Sequence, residues 1–212
     1  MINLSVGQIA FLIIVPIVVV AAVGLVIYFV NRRRQIKKKF KYYYYKKIYK
    51  IAMDRDYYLI NDFLFKIDDS HVGRIDHILF ADKYIFVIHD FYYDGNIIGK
   101  ETDKSIILVK KDGKKQYEDN PLVLNRKLIS KLSLITGINQ SLIVGICLIN
   151  SDCQFSIHVS GKSYYIIQCN KLKALIKAIE SRQVGDINKE QLASAVKAIN
   201  KLNRRNRSGE RK

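Results

Sequence analysis

The sequence predicts an α/β domain in which a mixed β-sheet is flanked by helices, preceded by a single apolar N-terminal helix. Three observations lead to this prediction. Residues 1–30 contain no charged side chain. From residue 57, short apolar runs alternate with polar turns, which is typical of strands. One helical repeat interrupts these runs and further helical repeats follow them, so the order is strands, helix, strands, helices.

The N-terminal apolar stretch is expected to be one uncleaved transmembrane helix over residues 9–30, which leaves 1–8 as a short extracytoplasmic N-terminus. At about 1.5 Å per residue this stretch spans the roughly 30 Å hydrocarbon core. A cleaved signal peptide normally has a basic start and an apolar run of only about 7–15 residues. Here the start is uncharged and a basic cluster follows the run. The positive-inside rule then predicts a single-pass cell-membrane protein with a cytoplasmic C-terminal domain.

The positive charge is concentrated beside this helix and at the C-terminus. The chain has a net charge of +17; residues 31–50 carry ten basic and no acidic side chains, and 201–212 carry a net +5, so 51–200 carry only +2. Residues 31–50 are therefore expected to be a juxtamembrane segment, 51–202 the cytoplasmic domain and 203–212 a basic disordered tail. The basic residues expected to contact lipid or nucleic acid are Arg32, Arg33, Arg34, Lys37, Lys38, Lys39, Lys41, Lys46 and Lys47.

The juxtamembrane segment mixes lysines with a run of tyrosines and allows two interpretations. In the first, residues 42–45 lie in the headgroup layer while the lysines meet anionic lipids of the inner leaflet. In the second, the basic charge binds DNA or RNA phosphates and the rings stack on bases. Lipid is the favoured partner, because the position next to the apolar helix explains the composition without further assumptions.

The elements of the domain follow from its periodicity and its turn residues. Strands are expected at 57–67, 74–80, 84–91 and 96–101, followed by a hairpin over 105–118. A helix is expected from Asn120-Pro121 to Gly137, then strands at 141–150, 156–160 and 163–169, and helices at 171–182 and 188–202. The three cysteines have no paired spacing, so buried thiols are predicted rather than disulfides or a zinc site.

The search for catalytic motifs finds no glycine-rich phosphate loop, no G-x-S-x-G and no H-E-x-x-H. The ordered set IDHILFADKYIFVIHDFYYDGNIIGKETDKSI (75–106) and NPLVLNRKLISKL (120–132), however, resembles the nuclease-related domain family, NERD. The resemblance implies a restriction-endonuclease-like fold. In that group an Asp on one strand and a Glu on the next hold Mg²⁺ through oxygen, and a Lys two residues after the Glu assists hydrolysis of a phosphodiester.

The resemblance assigns these roles to named positions, and the chain departs from the pattern at two of them. Asp76 matches the first carboxylate, but His89 stands at the Glu position and Phe91 at the Lys position. Asp90 could replace the Glu only through a β-bulge, because a regular strand directs it to the other face. Lys100 or Lys104 could replace the Lys.

The candidate catalytic residues are therefore Asp76, His89, Asp90 and Lys100, and the candidate metal ligands are Asp76 and His89. Neutral imidazole is a poor Mg²⁺ ligand, and Arg74 places a positive charge beside the presumed site. The family-motif residues with structural roles are Gly95, Gly99, Asn120, Pro121 and Asn125. Asn120-Pro121 is expected to begin a helix, and the two glycines are expected to be turn and packing residues.

The sequence is compatible with three functions. The favoured one is a catalytically degenerate NERD-like domain that binds or scaffolds at the inner membrane surface and contacts nucleic acid through its basic flanks, without a cofactor. The second is an active, Mg²⁺-dependent DNA or RNA nuclease with a non-standard site. The third is a protein-interaction adaptor, which the low net charge of 51–200 favours because nucleic-acid binders usually carry a basic patch on the fold.

Overall fold

The computed structural model of the chain describes residues 6–67, 71–161 and 163–209. By its contacts the chain divides into two units, Met1–Tyr43 and Tyr44–Lys212. The first unit contains helix α1, which spans Val6–Lys38 and has Pro16 inside it. Its stretch Val15–Arg32 is long and apolar enough to cross a membrane, and none of that stretch is buried. Residues 1–5 of the predicted extracytoplasmic N-terminus lie outside the described residues.

The second unit contains the mixed α/β fold that the sequence predicts. Its strands are β1 (Tyr58–Lys66), β2 (Val72–Phe80), β3 (Ile85–Asp90), β4 (Gly95–Ile98), β5 (Ser105–Lys110), β6 (Lys115–Asp119), β7 (Ile143–Ile149), β8 (Phe155–Ser156) and β9 (Tyr164–Gln168). Its helices are α2 (Phe40–Arg55, which begins in the first unit), α3 (Pro121–Thr136), α4 (Leu172–Glu180) and α5 (Lys189–Gly209).

The strands form two mixed sheets. The larger sheet has the order β1-β2-β3-β7-β9, with the first three strands antiparallel and β7 and β9 parallel to β3. The smaller sheet has the order β6-β5-β4-β8. Every residue of β3 and of β7 is buried, as expected for central strands that are covered on both faces.

Helices cover the larger sheet on both sides. Ile129 of α3 and Ile199 of α5 share a core cluster with Ile78 and Val87 of the sheet. On the opposite side, the Tyr44 hydroxyl of α2 donates to the carbonyl oxygen of Phe91 at 3.2 Å. The sheet is thus covered by α3 and α5 on one face and by α2 on the other. Helix α4 lies beside α2, where the Lys173 Nζ is 2.8 Å from the Asp54 Oδ2.

Three parts of the chain differ from the expectation. The strand expected at 156–160 is limited to the two residues of β8, Phe155–Ser156. The domain boundary predicted at residue 51 falls inside α2, because Tyr44, Ile48, Ile51 and Ala52 are buried in the second unit. Of the predicted headgroup tyrosines, Tyr44 is therefore a core residue. The tail predicted to be disordered from residue 203 is helical to Gly209, where α5 ends, and residues 210–212 lie outside the described residues.

Candidate functional site

The residues singled out by sequence meet where β2 and β3 run side by side. The antiparallel register pairs His77 with Ile88, and continuing it by one residue places Asp76 opposite His89. Since side chains alternate along a strand, Asp76 and His89 share one face, while His77 and Asp90 share the other. The face of Asp76 and His89 is the one covered by α3, because Val87, two residues before His89, packs with Ile129.

On the α2 side of the sheet, His77 and Asp90 form a buried pair. The His77 Nε2 lies 3.0 Å from the Asp90 Oδ2, and the two side chains are only 6% and 1% exposed. The other ring nitrogen, Nδ1, lies 2.6 Å from the Oδ1 of Asn61 on β1. The imidazole is thus held at both nitrogens by residues of the two neighbouring strands, which fixes its orientation and joins β1, β2 and β3.

On the α3 side, Asp76 lies among hydrogen-bond donors and positive charge. Its Oδ2 accepts the backbone N–H of Asp90 at 3.1 Å. The same oxygen lies 3.7 Å from the Nδ1 of His89, and Oδ1 lies 3.8 Å from the Nε of Arg74. The His89 side chain is 8% exposed, and its Nε2 has no hydrogen-bond partner among the described residues. The structure therefore brings Asp76 and His89 together, with an arginine beside them.

Arg74 is oriented by a second acid on β1. Its guanidinium lies 2.7 Å from the Oδ1 of Asp62. Asp62 lies within β1 at φ 56°, in the left-handed region that a non-glycine residue rarely adopts within a strand. Such backbone strain persists where the surrounding structure over-determines it and is found most often near functional sites. The irregularity separates the roles of two neighbours on β1, since Asn61 contacts His77 and Asp62 contacts Arg74.

The family pattern implies that this site holds Mg²⁺. Such an ion needs several oxygen ligands, here two carboxylates on one face of the sheet. Asp76 supplies one, but the Asp90 carboxylate turns to His77 on the opposite face. Within the described parts of the chain, no group of three or more His, Cys, Asp or Glu is placed to hold a metal ion. The residues present do not fit a two-carboxylate Mg²⁺ site.

The residues expected to complete the site lie elsewhere. Lys100 follows β4 in the smaller sheet, where its side chain is exposed and its backbone N–H donates to Asp103. Phe91, at the position of the family's lysine, stacks parallel on Tyr93 with ring centroids 6.1 Å apart. An aromatic side chain, packed on a second ring, therefore stands at the position of the family's lysine.

The two asparagines of the Asn-Pro motif make hydrogen bonds that stabilise the fold. The Oδ1 of Asn120 accepts the backbone N–H of Leu122 and caps α3, with Pro121 in the first turn. The Nδ2 of Asn120 donates to the carbonyl oxygens of Lys100 and Asp103, which ties the helix to the turn after β4. Asn125 is buried on α3, and its Nδ2 lies 3.7 Å from the Cys147 Sγ.

The two motif glycines are close-packing positions of the smaller sheet. A Cβ on Gly95 would collide with the carbonyl oxygen of Val109 on the neighbouring strand. A Cβ on Gly99 would come within 3.0 Å of the Ile106 side chain. Neither glycine has a positive φ, so the requirement is for space rather than for an unusual backbone conformation.

The basic residues next to the apolar helix are exposed. Those whose side chains are described are Arg32, Arg34, Lys37, Lys38, Lys39, Lys41, Lys46 and Lys47; the side chain of Arg33 lies outside the described residues. Lys46 and Lys47 belong to the compact second unit, as does Lys50. The positive charge of the juxtamembrane segment therefore extends onto the folded domain.

Sequence reasoning missed Asn61 and His77. The Ile-Asp-His pattern contains His77, but only the preceding Asp76 has an assigned role in the family pattern. The available signal was the alternation of the strand, which predicts that Asp90 faces away from Asp76. The short connection at 81–83 predicts a hairpin of β2 and β3, but the partner on that other face depends on the register of the two strands.

Comparison with known proteins agrees with this fold. No curated protein and no solved structure gives a match to the chain. The model of one protein family, described as "NERD: Nuclease-related domain", matches residues 34–150, which is more than half of the chain. The match begins before α2 and ends after β7, so it includes β2, β3 and the whole of α3. The chain belongs to the nuclease-related domain family, with the mixed α/β architecture of restriction-endonuclease-like folds.

Proposed function

We propose that this NERD domain is a binding or scaffolding module at a membrane surface and does not hydrolyse nucleic acid. The observation that carries the proposal is the buried His77–Asp90 pair. It turns the Asp90 carboxylate to the opposite face of the sheet from Asp76, whose own carboxylate lies beside His89 and Arg74. A lone carboxylate next to a guanidinium is a weak site for a divalent cation.

The proposed location follows from α1 and the charge beside it. The apolar stretch Val15–Arg32 is of membrane-spanning length. The basic residues that follow favour a cytoplasmic side for the domain, because positively charged flanks are retained there. A cell-membrane protein with its N-terminus outside and its domain at the anionic inner leaflet satisfies both features. The module's ligand in this setting is proposed to be nucleic acid, held by phosphate contacts, or a protein.

The test of catalytic silence is a cleavage assay on the full chain in lipid nanodiscs. Single- and double-stranded DNA and RNA are incubated with Mg²⁺ or Mn²⁺, and the wild type is compared with Asp76→Ala. We expect equal, background cleavage by both proteins. Metal-dependent cleavage by the wild type that disappears in Asp76→Ala would overturn the proposal.

The same preparation separates the two classes of ligand. Phosphate contacts release counterions, so binding of an oligonucleotide would weaken steeply as salt rises. Binding that is absent, or that does not depend on salt, points to the protein adaptor instead.

A second candidate activity rests on the Asp76–His89 contact. The 3.7 Å between Oδ2 and Nδ1 places a carboxylate and an imidazole on one face. Imidazole favours transition metals over Mg²⁺, so this pair is suited to Mn²⁺, Co²⁺ or Zn²⁺ rather than to Mg²⁺. Cleavage supported by one of these ions, and lost in both Asp76→Ala and His89→Ala, would favour this candidate.

A further inference from the structure

Helix α2 has two faces with different tasks. The residues that pack into the domain, Tyr44, Ile48, Ile51 and Ala52, follow the helical spacing of a single stripe. They are at most 5% exposed. This stripe fixes the orientation of the helix on the domain, and the Tyr44 hydroxyl bond to the Phe91 carbonyl oxygen fixes it further. The side chains opposite the stripe are therefore held in a defined outward direction.

The outward face of α2 combines two lysines with two large, partly apolar side chains. At 3.6 residues per turn, Lys46, Tyr49, Lys50 and Met53 lie opposite the buried stripe. Met53 is 65% exposed and Tyr49 is 47% exposed, and both lysines are exposed. We call these four residues the α2 outer face.

The neighbouring acid does not cancel this charge. Asp54, next to Met53 in sequence, lies 2.8 Å from the Nζ of Lys173 on α4. The hydrogen bond from Lys173 holds the pKa of Asp54 below its usual value. Asp54 is thus paired most closely with Lys173 of the adjacent helix, and Lys50 attracts it more weakly. Because Lys173 takes the direct contact, the two lysines leave the α2 outer face with a net positive charge.

We propose that the α2 outer face docks on an anionic lipid surface and thereby orients the domain on the bilayer. The inference rests on the proposed membrane location and names the partner of one surface there. Lysines are attracted to anionic headgroups, and tyrosine and methionine place apolar atoms into the interfacial layer. The α2 outer face also follows the apolar helix α1 closely in sequence, which supplies the bilayer at high local concentration.

A lipid surface fits this face better than a nucleic acid does. Nucleic-acid grooves are bound by continuous basic surfaces with rings that stack on bases. Met53, which is more exposed than Tyr49, has neither a charge nor a ring, and it would lose favourable apolar contact against phosphates. In the interfacial layer the same side chain is buried among acyl chains.

The test uses the full chain in nanodiscs, with a nitroxide attached in the Met53→Cys variant. Labelling is selective because Cys147, Cys153 and Cys169 are buried. The nitroxide's exposure to oxygen and to a water-soluble nickel complex reports whether it lies in lipid or in water. Discs of phosphatidylcholine alone are compared with discs that also contain phosphatidylserine. Lys46→Glu/Lys50→Glu is the test variant. Lys127→Glu/Lys131→Glu on α3 is the matched control, with the same spacing and charge change.

We expect the nitroxide to enter lipid on the phosphatidylserine discs. The ratio of docked to undocked protein should fall at least about tenfold in Lys46→Glu/Lys50→Glu, and should stay unchanged in the control variant. Docking that is absent on anionic discs, or that is equal in the test variant, overturns the proposal. A nitroxide that stays in water while an oligonucleotide binds through the two lysines assigns the α2 outer face to nucleic acid instead. Insertion of α1 is scored separately by resistance to alkaline extraction, so a failure of docking and a failure of anchoring are distinguishable.

Discussion

The His77 Nε2 lies 3.0 Å from the Asp90 Oδ2, on the opposite face of the sheet from Asp76. Neighbouring residues of the same two strands thus serve different purposes. One pair, almost completely buried, ties the strands together. The other, Asp76 and His89, occupies the place where the family pattern puts its metal ligands. The proposed lack of nuclease activity rests on that division.

The buried pair should contribute strongly to stability. His77→Ala removes the imidazole nitrogen that lies against the buried Asp90 carboxylate, so we expect the free energy of unfolding to fall by about 2–4 kcal/mol. The measurement is denaturant unfolding of the full chain in detergent. The exposed Asp112→Ala is the control, with an expected change below about 0.5 kcal/mol.

A double-mutant cycle shows whether this loss comes from the pair itself. His77→Ala/Asp90→Ala should cost less than the sum of the two single changes, with a coupling of about 1–3 kcal/mol. Additive losses would mean that the 3.0 Å contact contributes little by itself.

Gly95 should tolerate no side chain, because the neighbouring strand leaves no room for a Cβ. Gly95→Ala drives a methyl group into the Val109 carbonyl, so we expect a loss of about 1–3 kcal/mol. Gly161→Ala is the matched control, because among the described residues no atom lies within 4 Å of its Cβ position. Thermal unfolding compares the two variants. Equal melting temperatures would contradict the prediction, because they would mean that the neighbouring strand can shift to make room for a methyl group at Gly95.

The three thiols should resist modification and should make the fold sensitive to alkali. Burial raises the pKa of Cys147 to about 12 and the pKa values of Cys153 and Cys169 to about 11. In the native state at pH 8, roughly one thiol in a thousand or fewer is therefore ionised. Because the thiolate is the form that reacts, we expect alkylation only after the chain unfolds.

The sign of the pH dependence follows from the same pKa values. The folded chain binds these protons more tightly than the unfolded chain, whose thiols have a pKa near 8.5, so stability is lost as the pH rises from about 8.5 towards 11–12. Unfolding curves at increasing pH should show a shallower loss in Cys147→Ala. The same slope in that variant would contradict the buried-thiol assignment.

Restoring the family's residues should restore chemistry. His89→Glu/Phe91→Lys places a carboxylate and a lysine on the face of Asp76, and we expect metal-dependent cleavage of DNA or RNA at least about a hundredfold above the wild type. Adding Arg74→Ala should raise it further, because the guanidinium lies 3.8 Å from Asp76. A variant that folds normally yet gains nothing would contradict the placement of positions 89 and 91 on that face.

The fold class was predictable because its signals are local. The limits of α3 follow from the Asn120 cap, from Pro121 in the first turn and from Gly137, which has a left-handed φ of 71°. The strands follow from apolar runs between turns. By contrast, the burial of α2 is a tertiary effect. Its lysines and tyrosines suit a membrane interface, and only packing on the domain shows that Tyr44 belongs to the core.

The candidate site was predictable only in part, for a related reason. Alternation along β3 predicts that His89 and Asp90 point to opposite faces. The identity of the group that meets Asp90 depends on the register between strands that are 13 residues apart at His77 and Asp90. The strained Asp62, which orients Arg74, follows from no sequence rule, because aspartate has no general preference for positive φ inside a strand.

Binding of Mn²⁺ to the wild-type chain tests most directly whether Asp76 belongs to a metal site. Electron paramagnetic resonance of free Mn²⁺ is recorded as the full chain in nanodiscs is added, with Asp76→Ala as the reference. If Asp76 holds no divalent cation, as proposed, we expect the same free Mn²⁺ signal for both proteins at equal concentration. Stoichiometric loss of the signal with the wild type, and none with Asp76→Ala, would contradict it.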